Sequence, residues 1–193
     1  VSVGSGAGYG NLGYTHHALQ DYALMRSFPN MQILSPGNNN ELISLLDYIK
    51  KNPQPSYLRL DKSEHEVTKL KKFILSPGKI IKLDDGNKKK MLLTTGSVQK
   101  LARGIKLKMF KNYSLFSMPI WGMKAKVAAR NIIKKYDEII TVEDHFYDGG
   151  FGSWLKECVI NTNIKTIIKS KYIDNKILNE VGSKEYLLKK FGP

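Results

Sequence analysis

Apolar and polar positions along the chain fall into short alternating blocks. Apolar runs such as MQILSP (31–36), PSYLRL (55–60), KMLLTTG (90–96), YSLFSMPIW (113–121), EIITVED (138–144) and KTIIKSKYI (165–173) read as strands, and VSV (1–3) as a strand end. Between them apolar residues recur every three or four positions, which predicts helices over 15–28, 38–51, 97–110, 125–136, 149–160 and 183–192. In the first, Thr15 is placed to cap the N-terminus, Ala18, Leu19, Tyr22 and Met25 form one face, and Pro29 ends it. The second starts on an Asn cap and carries the stripe Leu42, Leu45, Leu46 and Ile49. Strands alternating with helices imply mostly parallel sheets covered by helices, here an α/β chain of two units. Residues 61–87 read as a charged crossing segment with a hairpin about DDGN (84–87). The unit before it has only two or three strands, too few for a complete sheet.

Composition narrows the class only a little. A chain of 193 residues buries a sizeable core, and no apolar run reaches the roughly 20 residues of a membrane span. A single cysteine, Cys158, reads as a core thiol and points to a reducing, cytoplasmic setting. The net charge of +14 invites a nucleic-acid partner, but the lysines are spread over turns and helix faces, often beside acids. No aromatic-interleaved or zinc-knuckle pattern accompanies them, so the expectation is a solvated basic surface with neither nucleic acid nor membrane as partner. Opening at Val1, inside a strand, suggests part of a longer or processed polypeptide; trimming is the other reading.

Candidate chemistry concentrates in VGSGAGYGNLGYTHH (3–17). Gly8, Gly10 and Gly13 match the spacing of a dinucleotide loop. That reading fails on two counts: the second strand ends in ILSPGN with no acid for ribose hydroxyls, and the predicted helix starts beyond the third glycine. The alternative is that the glycines let backbone approach a ligand while an imidazole from His16 or His17 faces it. Neighbours on a helix diverge by about 100°, so the two do not share a metal. A helix N-terminus would hold such an imidazole neutral. A second stretch, TVEDHFYDGGFGSW (141–154), sends an acidic pair and His145 off a strand before glycines open a helix. DDGN lacks the spaced partner of a metal–diphosphate motif.

YGNLGYTHHALQDYALMRSFPNMQILSPGNNNE, PSYLRL, LLTTGS and TVEDHFYDGGFGSWLKE, in that order, resemble the C-terminal section of a transketolase, of the split, small-subunit type related to deoxyxylulose-phosphate synthase. The resemblance implies the end of a pyrimidine-binding parallel-sheet domain over 1–61, a linker over 62–87 and a three-layer α/β transketolase C-terminal domain over 88–193. It further implies thiamine diphosphate and Mg²⁺ in the complete enzyme, which passes a two-carbon ketol unit between sugars or sugar phosphates. His16 would be the catalytic imidazole, with Thr15, His17 and Lys62 at the substrate. Gly8, Tyr9 and Gly10 would neighbour the cofactor, and Gly13 matches the family glycine before Thr-His. Glu143, His145, Gly149 and Gly150 would lie at a homodimer interface. The cofactor's activating glutamate and its metal–diphosphate site belong upstream of Val1, in an N-terminal section or large subunit, so this chain alone is expected to hold no metal, bind no cofactor tightly and be inactive. Lys62 stands where the family has a phosphate-gripping arginine, and Gly4 and Leu12 replace two polar contacts, which points away from pentose phosphates towards a modified sugar. The alternatives are a β-subunit of a 2-oxo acid dehydrogenase and a silent dimerisation module.

Overall fold

The computed structural model describes residues 1–62 and 71–193. Two sheets carry the chain. In the first, β1 (Ser2–Val3), β3 (Ser56–Leu60), β2 (Gln32–Leu34) and β7 (Ile120–Gly122) lie in the order β1-β3-β2-β7, parallel except for β7. In the second, β4 (Ile81–Asp84), β6 (Tyr113–Ser117), β5 (Asn87–Thr94), β8 (Glu138–Val142) and β9 (Ile167–Lys171) lie in the order β4-β6-β5-β8-β9, with β4 alone antiparallel. Among the described residues, six helices cover them: α1 (Asp21–Ser27), α2 (Asn39–Lys51), α3 (Gln99–Met109), α4 (Lys126–Ile133), α5 (Phe151–Glu157) and α6 (Lys184–Phe191).

The apolar runs are explained by burial on both faces. Leu92 and Ile140 pack with Val98, Ala102 and Ile105 beneath α3. Their neighbours Met91, Leu93 and Ile139 point the other way, into a cluster with Tyr22, Ile33, Trp121, Phe151 and Trp154. That cluster draws on both sheets, so one core stitches them together. Cys158 is part of it; burial pushes its thiol up to about 12, as befits a core residue.

Four expectations are corrected. No helix begins at Thr15. Instead two 3-10 turns, Gly10–Leu12 and Tyr14–His16, precede α1, and His17 is extended. Gly13, at φ 76° between the turns, breaks the helical path, and the Ala18 amide and carbonyl both bond to Gly6. Thr15 therefore caps nothing. On α2, Asn38 accepts from the Glu41 amide as expected of a cap, but Leu46 faces out and Ser44 is buried in its stead. The run 113–121 is two strands in different sheets. The Met118 amide still bonds to Thr94 beside β5, whereas the Pro119 carbonyl already accepts from Ser35 beside β2. Pro119, lacking an N–H, sits at the crossing. Finally, the turn after Asp84 closes no hairpin, because β6 lies between β4 and β5; Gly86 presses on the Tyr113 backbone, where a Cβ would come within 2.4 Å. β4 falls within the 62–87 range and pairs in the second sheet, and β7, from the 88–193 range, joins the first sheet. Residues 63–70 of the 62–87 range lie outside the described residues.

Candidate functional site: a glycine loop with a buried neck and an exposed tip

Residues 6–18 form a loop closed by reciprocal hydrogen bonds, Gly6 N–H to Ala18 O at 3.1 Å and Ala18 N–H to Gly6 O at 2.9 Å. The glycines permit close approach of the chain to itself. A Cβ on Gly4 would strike the Tyr9 ring at 2.2 Å, one on Gly8 the Gly4 backbone at 2.9 Å, and one on Gly10 the Gly182 carbonyl at 2.5 Å. The space at Gly8 and Gly10 is thus filled by the protein's own atoms. Ala7 and Leu19 anchor the loop on Phe146, Ile173, Ile177, Leu187 and Phe191, a satellite core under α6.

The tip is polar and open. Thr15 and His16 are exposed and joined by a 3.0 Å contact between Thr15 Oγ1 and His16 Nδ1. Leu12 and Tyr14 flank them on the surface, and Gln20 donates to the Tyr14 hydroxyl at 2.6 Å. His17 turns inward. Both its ring nitrogens are buried without a hydrogen-bond partner, and burial lowers its imidazole below the ordinary range. Lys62 is exposed at the end of β3, its Nζ 5.0 Å from the centre of the Tyr9 ring. The structure therefore brings Thr15 to His16 and Lys62 to Tyr9.

Beneath the loop lies a charged cluster that sequence reasoning missed. Arg59, fully buried in β3, sends Nε to Asp21 Oδ2 at 2.7 Å, Nη1 to Asp144 Oδ1 at 2.5 Å and Nη2 to the Ala18 carbonyl at 2.6 Å. Its guanidinium also stacks over Tyr22, 4.2 Å from the ring centre. Tyr57 donates to Asp21 at 2.7 Å, and Tyr22 and Ser35 share a 2.5 Å hydrogen bond. Burial alone would raise the Asp144 carboxyl; the Arg59 charge and hydrogen bonds from Arg59 and Ser97 overcome it and hold Asp144 low. Burial pushes the Tyr57 phenol up to about 12. The signal available was an arginine inside the otherwise apolar strand PSYLRL, which a folded chain tolerates only when paired.

The stretch after β8 is likewise directed inward. Glu143, fully buried, accepts from the Phe151 and Gly152 amides at 2.6 and 2.8 Å and so caps α5. Gly150 makes this possible: a Cβ there would lie 2.4 Å from the Glu143 carboxylate. Burial raises the Glu143 carboxyl to about 8 despite those bonds. His145 stacks on Tyr22 with ring centres 5.0 Å apart, and its Nδ1 donates to the Phe146 carbonyl at 2.7 Å. Burial, aided by the Arg59 charge, drops its imidazole to about 4. Gly149, at φ 71°, packs against Ala23, and its carbonyl accepts from Arg26. Neither Glu143 nor His145 reaches the surface of the chain.

A groove of about 1050 Å³ runs between α3 and α6, past Ser97, Arg103, Lys184 and Leu188; none of Thr15, His16, His17 or Lys62 lines it. Among the described residues no three His, Cys, Asp or Glu side chains gather closely enough to hold a metal ion, and no helix is long and apolar enough to cross a membrane.

Residues 1–67 match the family described as transketolase, pyrimidine binding domain. The chain is 29% identical over 173 residues to a subunit of the apulose-4-phosphate transketolase of Actinobacillus succinogenes, covering 89% of this chain and 56% of that protein. It is 32% identical over 161 residues to 1-deoxy-D-xylulose-5-phosphate synthase of Halothermothrix orenii, covering 80% of this chain and 25% of that one. The fold is shared with a solved structure titled split gene transketolase, inactive beta4 tetramer, at a TM-score of 0.72 and 20% identity over 98% of this chain and 60% of that chain. The chain spans about half the length of the transketolase subunits it matches. Nearly all of the chain is therefore similar to proteins named as a transketolase subunit and as a putative transketolase C-terminal section, and its residues 1–67 match the transketolase pyrimidine-binding domain.

Proposed function

We propose that this chain is the C-terminal section of a thiamine-diphosphate-dependent, transketolase-type transferase that moves a two-carbon ketol unit between sugars. It acts only when completed by an N-terminal section or large subunit, as a dimer joined through its 88–193 part. The observation that carries this reading is the exposed Thr15–His16 turn, presented by a loop within the segment that matches the pyrimidine-binding domain.

The residues of this chain do not fit the cofactor as its sole holder. The described residues offer no acidic set for Mg²⁺, and the glycines of the loop are packed by the chain itself. The diphosphate and its metal are assigned to the other section. What this chain supplies is an imidazole at His16, able to accept a hydrogen bond or a proton from a sugar hydroxyl, and an ammonium at Lys62. Lysine offers an anion a point charge where arginine would offer a planar fork. With Gly4 and Leu12 in place of polar contacts, these groups suit a modified sugar or its phosphate, a reading supported by likeness to a protein named for apulose-4-phosphate.

Calorimetry tests the assignment. Thiamine diphosphate with Mg²⁺ is titrated into the chain alone and then into the chain joined with its N-terminal section. Heat only after completion supports the proposal, and no heat in either case leaves a silent dimerisation module. In the completed enzyme His16→Ala lowers ketol transfer by about 10²-fold, the usual scale for lost acid–base or orienting help.

A further inference from the structure

We propose that Asp144 and Ser97, from the part of the chain beyond residue 88, are positioning residues that latch the neck of the glycine loop and so fix the direction of its His16 tip. The inference rests on the reading of His16 given above.

Both strands of the neck are gripped from the same place, the end of β8. On one side Asp144 packs directly on Gly6: a Cβ there would lie 2.7 Å from Asp144 Oδ2, and Gly6 holds φ 60°. The same oxygen accepts from Ser97 Oγ at 2.7 Å, and Ser97 Oγ accepts in turn from Ser5 Oγ at 3.0 Å. On the other side Asp144 Oδ1 holds Arg59, whose Nη2 donates to the Ala18 carbonyl, the acceptor that also closes the neck to Gly6. Two residues on, the Phe146 amide donates to the Leu19 carbonyl at 3.1 Å. One carboxylate therefore ties both ends of a thirteen-residue loop, 6–18, to the second sheet.

The backbone bonds at the tip are local, from Leu12 to Tyr9, Gly13 to Gly10, His16 to Gly13 and His17 to Tyr14, while outside the neck the Gly182 amide donates to the Gly10 carbonyl at 3.2 Å and Gln20 donates to the Tyr14 hydroxyl. A local turn keeps its shape but not its orientation when its base moves. Thus the hydroxyl of Ser97, remote in sequence from His16, acts on the imidazole by holding the base of its loop, alongside the ties at Gly10 and Tyr14.

The test uses Ser97→Ala, which removes the relay while leaving the Arg59–Asp144 pair intact, and Ser97→Thr, which restores the hydroxyl. In the chain itself, hydrogen exchange at the amides of residues 8–17 speeds up by about five- to tenfold in Ser97→Ala, the factor matching one hydrogen bond of ordinary net strength. Amides of β5 and β8 keep their protection, and Ser97→Thr returns the loop to the parent rate. In the completed enzyme Ser97→Ala lowers kcat with the donor KM unchanged, as expected when a catalytic group is misdirected rather than lost. Unchanged exchange in the loop overturns the proposal. So does faster exchange with unaltered kcat in an enzyme where His16→Ala does lower turnover. If His16→Ala is itself silent, the functional reading fails, and loop exchange alone decides whether the latch exists.

Discussion

Two stretches of this chain set histidine beside glycines, and the fold treats them in opposite ways. In residues 3–17 the glycines pack the loop against itself and leave His16 exposed on a turn. In residues 143–152 they let a helix N-terminus close over Glu143, and His145 is sealed beneath, stacked on Tyr22. Composition does not separate them. What separates them is the neighbouring charge: Asp144 and Asp21 draw the buried Arg59 between the sheets, and His145 sits at that junction. Histidine next to glycine is thus a sign of a tight backbone, and the ring of His145 is sealed where the buried ion pairs of Arg59 gather.

The largest effect is expected where the two stretches are joined. Arg59→Met removes the common partner of two carboxylates, Asp144 being fully buried, and is expected to cost about 3–5 kcal/mol in denaturant unfolding. A loss near zero would mean the cluster is solvated and the contrast between neck and tip is false.

Next comes the acid response of the buried ring. His145 is lowered in the fold to about 4 from an ordinary 6.5, so the folded state binds fewer protons. Its contribution is present above pH 6.5 and lost as pH falls towards 4, amounting to about 3 kcal/mol in all. Glu143, raised from 4.5 to about 8, works the other way, its contribution fading as pH climbs through that window. The two slopes oppose each other between pH 4.5 and 6.5, so the informative quantity is a difference. Stability of the parent relative to His145→Phe falls as pH drops from 6.5 to 4, with Arg59, Asp21, Asp144 and Tyr22 facing the ring in both proteins. A difference independent of pH would show that the ring titrates as if exposed.

A smaller effect distinguishes the glycines. Gly149 and Gly13 share positive φ, 71° and 76°, but a Cβ meets Ala23 at 2.2 Å in the first and only the tip of Val181 at 3.3 Å in the second. Gly149→Ala should therefore lower Tm clearly more than Gly13→Ala, whose cost is backbone strain of about 1–3 kcal/mol alone. Equal losses would mean that the packing on Ala23 is soft.

Much of this architecture could be read from periodicity. The runs at 90–96 and 138–144 are strands because apolar side chains alternate between two covered faces, and Asn38 caps α2 as its position suggests. The failures share a cause. Local pattern governs the expectations for Thr15, Leu46 and the run 113–121, but distant partners set the outcome: Gly6 for the loop, and Ser35 beside the first sheet for Pro119. Likewise THH is visible as a candidate, whereas the cluster beneath it joins residues 21, 59, 97 and 144, which no spacing along the chain connects.

The most direct measurement is turnover of a donor ketose by the completed enzyme, with the parent chain or His16→Ala at matched thermal stability. The account predicts a fall in kcat of about two orders of magnitude in the variant. Equal rates would contradict it, leaving the exposed imidazole a surface group and the glycine loop a purely structural turn.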